Sequence, residues 1–155
     1  MIYSKVEECF SLKSCWKHRE IIGYYVSRQM NSEIVCRALD SALQKRENKE
    51  KTLIFHSDRG CQYCSKRYQA MLSENNIQGS MSKAGCPYDN SCMESFYASL
   101  KKEYYYRRES ATIKEIEMDL FYYIEIFYNR KRLHSSLGYM SPVAYRLKGM
   151  GLTAA

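Results

Sequence analysis

Two kinds of apolar pattern alternate along this chain, and their order limits what it can fold into. Ile21-Ile22-Gly23-Tyr24-Tyr25-Val26 is β-branched and aromatic, the composition of a strand. Ile34, Val35, Ala38, Leu39, Ala42 and Leu43 then recur with helical period behind Asn31 or Ser32 as a cap. Thr52–His56 reads as a short strand of the buried parallel type. A second helix is expected from about Ser65, with Tyr68, Met71 and Leu72 on one face and Asn75-Asn76 as its stop. Ile77–Ser82 is a further strand. Strands and helices in alternation predict an α/β sheet.

The C-terminal half reads as helical. Gly85-Cys86-Pro87-Tyr88-Asp89-Asn90 is a loop with two backbone breakers. A helix from Ser91 to about Tyr105 would turn Met93, Phe96, Tyr97, Leu100 and Tyr104 inward. Thr112-Ile113-Lys114-Glu115 is a capping box opening a long amphipathic helix through Ile116, Leu120, Ile124 and Phe127. Ser141-Pro142 caps a last short helix with proline at its first position. The first 20 residues show no clean period, and no composition shift marks a second domain.

Charge points to a polyanionic partner. The 155 residues carry a net +7, and no Asp or Glu occurs after Glu125, whereas Arg130, Lys131, Arg132, Arg146 and Lys148 all do. A solvated basic face is the plainer account of that tail. No apolar run approaches the ~18 residues of a membrane span, and no apolar stretch of a secretory leader follows the first lysine. A soluble, intracellular protein without a membrane partner is expected. Seven cysteines, an odd number, read as reduced thiols. Cys61-x-x-Cys64 with Cys86 and Cys92 has the makings of a zinc site, although the second pair is more widely spaced than usual. Cys36, in the helical stripe, reads as core.

The apolar run Leu53-Ile54-Phe55 ends in His56-Ser57-Asp58-Arg59-Gly60. A turn explains Asp58 in one way. The other is chemical, because sites in open α/β sheets gather beyond the carboxyl ends of strands. Thirty-five residues separate Asp58 from Glu94, which lies in the first turn of a helix. A strand-tip aspartate and a helix glutamate can converge on Mg²⁺, and carboxylate-held magnesium is the usual device for in-line attack on a phosphodiester. Glu94 also fits a capping box with Ser91. Lys101, seven residues beyond Glu94, lies on nearly the same helical face, within reach of a phosphate held there. An exposed solubilising lysine is its plain alternative.

Together these residues resemble a known family. HSDRGCQYCSKRYQAMLSENNIQGSMSKAGCPYDNSCMESFYASLKKE closely resembles the catalytic core of insertion-sequence transposases with a retroviral-integrase-like (DDE) domain. FYNRKRLHSSLGYMSPVAY looks like the family's closing segment, and IIGYYVSRQMNSEIVCRALDSAL like its third strand and first helix. The resemblance implies an RNase H-like mixed sheet with flanking helices, incomplete N-terminal strands and a helical C-terminal tail. It assigns residues 1–18 to an irregular remnant of the first strands and 19–150 to the partial catalytic core with its basic tail.

Carried over residue by residue, Asp58 matches the second catalytic aspartate and Glu94 the glutamate, both as ligands of Mg²⁺ (or Mn²⁺). Asn90 matches the loop asparagine before the glutamate, and Lys101 the basic residue near the scissile phosphate. Lys102, Arg130, Lys131, Arg132 and His134 complete the expected DNA contacts. The implied partners are transposon ends and target DNA, with a homo-oligomer when part of a full transposase. The implied location is the bacterial cytoplasm, on the nucleoid when bound to DNA.

One departure matters. The family needs a first aspartate on its first strand, and residues 1–39 contain no Asp; the acids before Glu33 are Glu7, Glu8 and Glu20. The expectation is a C-terminal portion of a transposase core, inactive by itself. The alternatives are a non-catalytic fragment that binds DNA or a transposase, and an RNase H-like nuclease.

Overall fold

A computed structural model of the chain describes residues 10–14, 18–27, 29, 31–46, 51–57, 60–83, 91–104 and 112–152, with backbone alone at 10–14 and 92. They fall into two compact units, Met1–Lys13 with Gly23–Ser95 and Ser14–Ile22 with Phe96–Ala155.

In the first unit, strands β1 (Phe10–Ser14, whose last residue belongs to the second unit) and β2 (Ile21–Val26, whose first two residues do) pair as one sheet. Strands β3 (Leu53–Ser57) and β4 (Ile77–Met81) pair as another, parallel, with Leu53 opposite Ile77 and Ser57 opposite Met81. Helix α1 (Ser32–Gln44) is capped by Asn31, whose side chain accepts the Glu33 N–H. Helix α2 (Lys66–Glu74) is capped by Ser65, which accepts from Tyr68. A 3₁₀ turn, Cys61–Cys64, precedes α2.

The periodic residues of α1 are its buried face: Ile34, Val35, Cys36 and Leu39 form one cluster with Tyr68 and Leu72 of α2 and Ile77 of β4. Phe55 packs against this cluster and meets Tyr68 edge-on, with ring centroids 6.1 Å apart. Close approach of α1 to β2 depends on Gly23, where a Cβ would lie 2.5 Å from the Ala42 nitrogen and 2.7 Å from the Ala38 oxygen.

The strand at 10–14 differs from the unpatterned start expected of the first 20 residues. Pairing with β2, rather than its own alternation, makes Phe10–Ser14 a strand. β3 is parallel, as expected, yet Leu53 and Ile54 are exposed. Ile54 lies on the side of β3 opposite Phe55, the residue that packs against the helices.

In the second unit, helix α3 (Ser91–Glu103), continuous from the first, contributes buried Phe96 and Leu100. Helix α4 (Ile113–Phe121) opens on the expected capping box, Thr112 and Glu115 bonding each other's backbone N–H. Instead of continuing as α-helix, the chain widens into a π-helix, Tyr122–Tyr128. The Asn129 N–H reaches the carbonyl of Ile124 and that of Arg132 the carbonyl of Phe127, each five residues back. The apolar stripe therefore shifts: Tyr123, Ile124 and Tyr128 are buried, while Phe127, expected inward, is 36% exposed.

Phe96, Tyr104, Tyr123 and Tyr128 stack at ring distances of 4.8–6.3 Å. A 3₁₀ turn, Ser135–Leu137, leads to helix α5 (Pro142–Gly149), capped by Ser141 with proline at its start as the sequence predicts.

Candidate nucleic-acid and metal site

β3 carries the chain toward the first carboxylate, and its end is tied to β4 by more than the ladder. His56 lies opposite Ser80 in the register. Its Nδ1 is 3.0 Å from the Ser80 hydroxyl and its Nε2 3.0 Å from that of Ser82. The Ser82 N–H and hydroxyl in turn donate to the carbonyl of Ser57, at 2.9 and 3.4 Å. A hydroxyl that donates to Ser57 has a lone pair for the Nε2–H, which leaves Nδ1 to accept from Ser80. These bonds hold the strand tip to the residue before Asp58. Ser80 and Ser82 had no sequence signal, because a lone serine in a short strand matches many roles.

Asp58 and Asn90 lie outside the described residues. Glu94 is exposed in the first turn of α3 and forms no ion pair among the described residues. Lys101 and Lys102 lie in the last turn of the same helix, Lys101 half-buried and Lys102 exposed. No group of three or more His, Cys, Asp or Glu side chains is gathered for a metal among the described residues. Of the zinc candidates, Cys61 and Cys64 are exposed in the 3₁₀ turn, and Cys86 and the Cys92 side chain lie outside the described set. Cys36 is buried in the core of the first unit, as its position in the stripe predicts.

The basic tail divides in two. Arg130 and Lys131 are exposed, without an ion pair among the described residues. Arg132 turns inward, its Nε 2.9 and 2.8 Å from the two carboxylate oxygens of Glu103 and its Nη2 2.6 Å from Oε1. Nη2 also reaches the Ser99 hydroxyl, Nη1 faces the His134 ring at 3.3 Å, and the guanidinium lies over the Tyr128 ring. The Tyr123 hydroxyl donates to Glu103 at 3.0 Å.

Burial opposes ionisation of Glu103, but hydrogen bonds from Arg132 and Tyr123 outweigh it and hold the carboxyl below its usual range. His134 is buried at 6% exposure and edge-on to Tyr128. Desolvation first, and then the charge of Arg132, push its imidazole down to about 4.

Asn129 closes the same region: its side chain accepts the Ile21 N–H and donates to the Ile21 carbonyl, both at 2.9 Å, and its own carbonyl accepts from Val143. Sequence reasoning assigned nothing to Glu103, Tyr123 or Asn129. Their partners lie between 14 and 108 residues away, beyond any local pattern.

The fold has close counterparts. The catalytic core domain of BIV integrase superposes with a TM-score of 0.65 at 16% identity, covering 92% of this chain and 87% of that one. A chain in a simian T-cell lymphotropic virus intasome superposes at 0.68 and 11% identity, covering 88% of this chain and 47% of that one. The architecture is that of an integrase catalytic core, RNase H-like α/β.

Two family models, each described as "Integrase core domain", match residues 15–87 and 75–142. The chain belongs to the integrase core family. It is 42% identical over 132 residues to the transposase InsF for insertion sequence IS3A of Escherichia coli (strain K12), a match covering 85% of this chain and 46% of the relative. It is 44% identical over 124 residues to the transposase for insertion sequence element IS904 of Lactococcus lactis, covering 80% and 49%. The chain thus spans about half the length of these relatives. No helix among the described residues is long and apolar enough to cross a membrane.

Proposed function

We propose that this chain is the catalytic-core portion of an insertion-sequence transposase that cuts and joins DNA with a divalent metal, Mg²⁺ or Mn²⁺. The observation that carries the proposal is Glu94, an exposed carboxylate without an ion pair among the described residues, on the first turn of α3 in a chain of this family. A hard oxygen donor left open to solvent suits such an ion. Asp58 and Glu94 would hold it, and it would supply activation of the attacking oxygen and neutralisation of the leaving one. Asn90, four residues before Glu94 in the sequence, would contact the DNA beside it. Lys101 and Lys102 supply positive charge toward the phosphate, and Arg130 and Lys131 take backbone phosphates further along. Arg132 and His134 support the DNA surface from behind through Glu103. The DNA partners are transposon ends and target, bound by a homo-oligomer of the full transposase in the bacterial cytoplasm.

A second reading has its own observation. Residues 1–39 contain no aspartate, and two carboxylates leave most of the magnesium shell to water. The chain by itself is then a DNA-binding or transposase-binding fragment. Nicking and strand transfer of labelled duplex DNA in Mg²⁺ or Mn²⁺ separate the two. The chain alone is expected to bind DNA without joining it. Metal-dependent joining that disappears in Glu94→Gln would show that a third ligand is present and that the chain is catalytically complete.

A further inference from the structure

The loop between the π-helix and α5 is closed tightly on itself. His134 and Met140 form an antiparallel bridge, with the His134 N–H donating to the Met140 carbonyl at 3.1 Å. The Leu137 and Tyr139 N–H groups both return to the carbonyl of His134, and that of Gly138 returns to Ser135. Leu137 and the His134 ring are buried beneath the loop. Beside the exposed Ser135 and Ser136, the loop shows two large apolar side chains to solvent: Tyr139 is 73% exposed and Leu133 62% exposed. Side chains alternate across a bridge, so a buried His134 places its neighbour Leu133 on the outer side.

Tyr139 also sits at φ 58°, directly after Gly138 at φ 64°. Glycine suits its place, but a left-handed backbone is unfavourable for a tyrosine, whereas asparagine accepts it readily. An aromatic ring is therefore held out into solvent, at a steric cost, on a cross-braced loop.

The geometry points to a binding site for an unpaired DNA base, stacked on Tyr139 with Leu133 beside it. Charge argues for this occupant. Arg130 and Lys131 lead into the loop, exposed and without an ion pair among the described residues. The sequence from residue 126 onward contains no acidic side chain. A positive approach for the backbone with an aromatic platform for a base is how single-stranded nucleic acid is held, and a paired base inside a duplex offers no open face to the ring. The occupant is then a single-stranded overhang or frayed end. This inference rests on the proposal that the chain binds DNA, and adds that it distinguishes open from paired strands.

The test measures binding of the full chain, at one salt concentration, to a single-stranded oligonucleotide carrying 2-aminopurine and to a blunt duplex. Tyr139→Asn is expected to weaken single-strand binding roughly five- to a hundred-fold and to abolish the stacking quench, with duplex affinity unchanged. Tyr139→Phe is expected to keep both. Because asparagine suits φ 58°, the melting temperature of Tyr139→Asn should equal or exceed that of the wild type.

Equal single-strand affinity in wild type and Tyr139→Asn, with duplex binding intact, would refute the stacking site and leave the DNA proposal standing. Failure of the wild type to bind either DNA would overturn both. A lower melting temperature with loss of both affinities would make the ring structural. Self-association removed by Tyr139→Asn, with no change in DNA binding, would make the face a contact between copies of the chain.

Discussion

At the scale of single residues, the second unit depends on a polar knot of Arg132, Glu103, Tyr123 and His134. Its pH response follows from the shifted groups. His134 ionises at about 4 in the folded chain against an ordinary 6.5, so between those values the unfolded chain binds more protons. Stability is then lost as pH falls from about 6.5 to about 4. Glu103, also held low, adds a loss in the same direction as pH drops below its ordinary 4.5. Thermal melts across pH 7 to pH 4 should show a falling midpoint, and His134→Phe should flatten the upper part of that fall. An unchanged slope in His134→Phe would place the titrating group elsewhere.

Among elements, the approach of α1 to β2 is set by a single missing side chain. At Gly23 a Cβ would press on backbone atoms of Ala38 and Ala42, which cannot rotate away as a side-chain tip can. Gly23→Ala is expected to cost about 3 kcal/mol, the upper part of the usual range for overpacking, read as a lower urea midpoint. A midpoint within error of wild type would mean that the helix shifts freely along the sheet. The π-helical segment illustrates the same rule in reverse. Tyr122–Tyr128 departs from α geometry, and Asn129 at its end then meets both backbone groups of Ile21.

For the whole molecule, net charge and its placement govern binding to DNA. Lysine and arginine that neutralise phosphates release counterions, and removing one such cation should flatten the dependence of log K on log salt by up to ~0.9. Replacing Arg130 and Lys131 together with alanine is expected to reduce the slope by roughly one to two on that scale. Arg132→Ala should instead lower stability, because its guanidinium is committed to Glu103. Binding isotherms over a salt series decide this. A double variant with the wild-type slope would remove the tail from the DNA surface.

The α/β class, the cap expected at Asn31 or Ser32, those at Thr112 and Ser141, and the family motifs were all legible in the sequence, because each is a local pattern read over a few residues. The stripe of α1 likewise identified its own buried face, since period 3.6 has one meaning when the helix is regular. Three things were not legible. The strand at Phe10–Ser14 comes from pairing with β2. The π-helix moved Phe127 outward, and no residue type marks such a change of pitch. Arg130, Lys131 and Arg132 look alike as a run of basic residues. Only the fold divides them, because Glu103 lies twenty-nine residues before Arg132 in the chain and is brought beside it when α3 and the tail pack together.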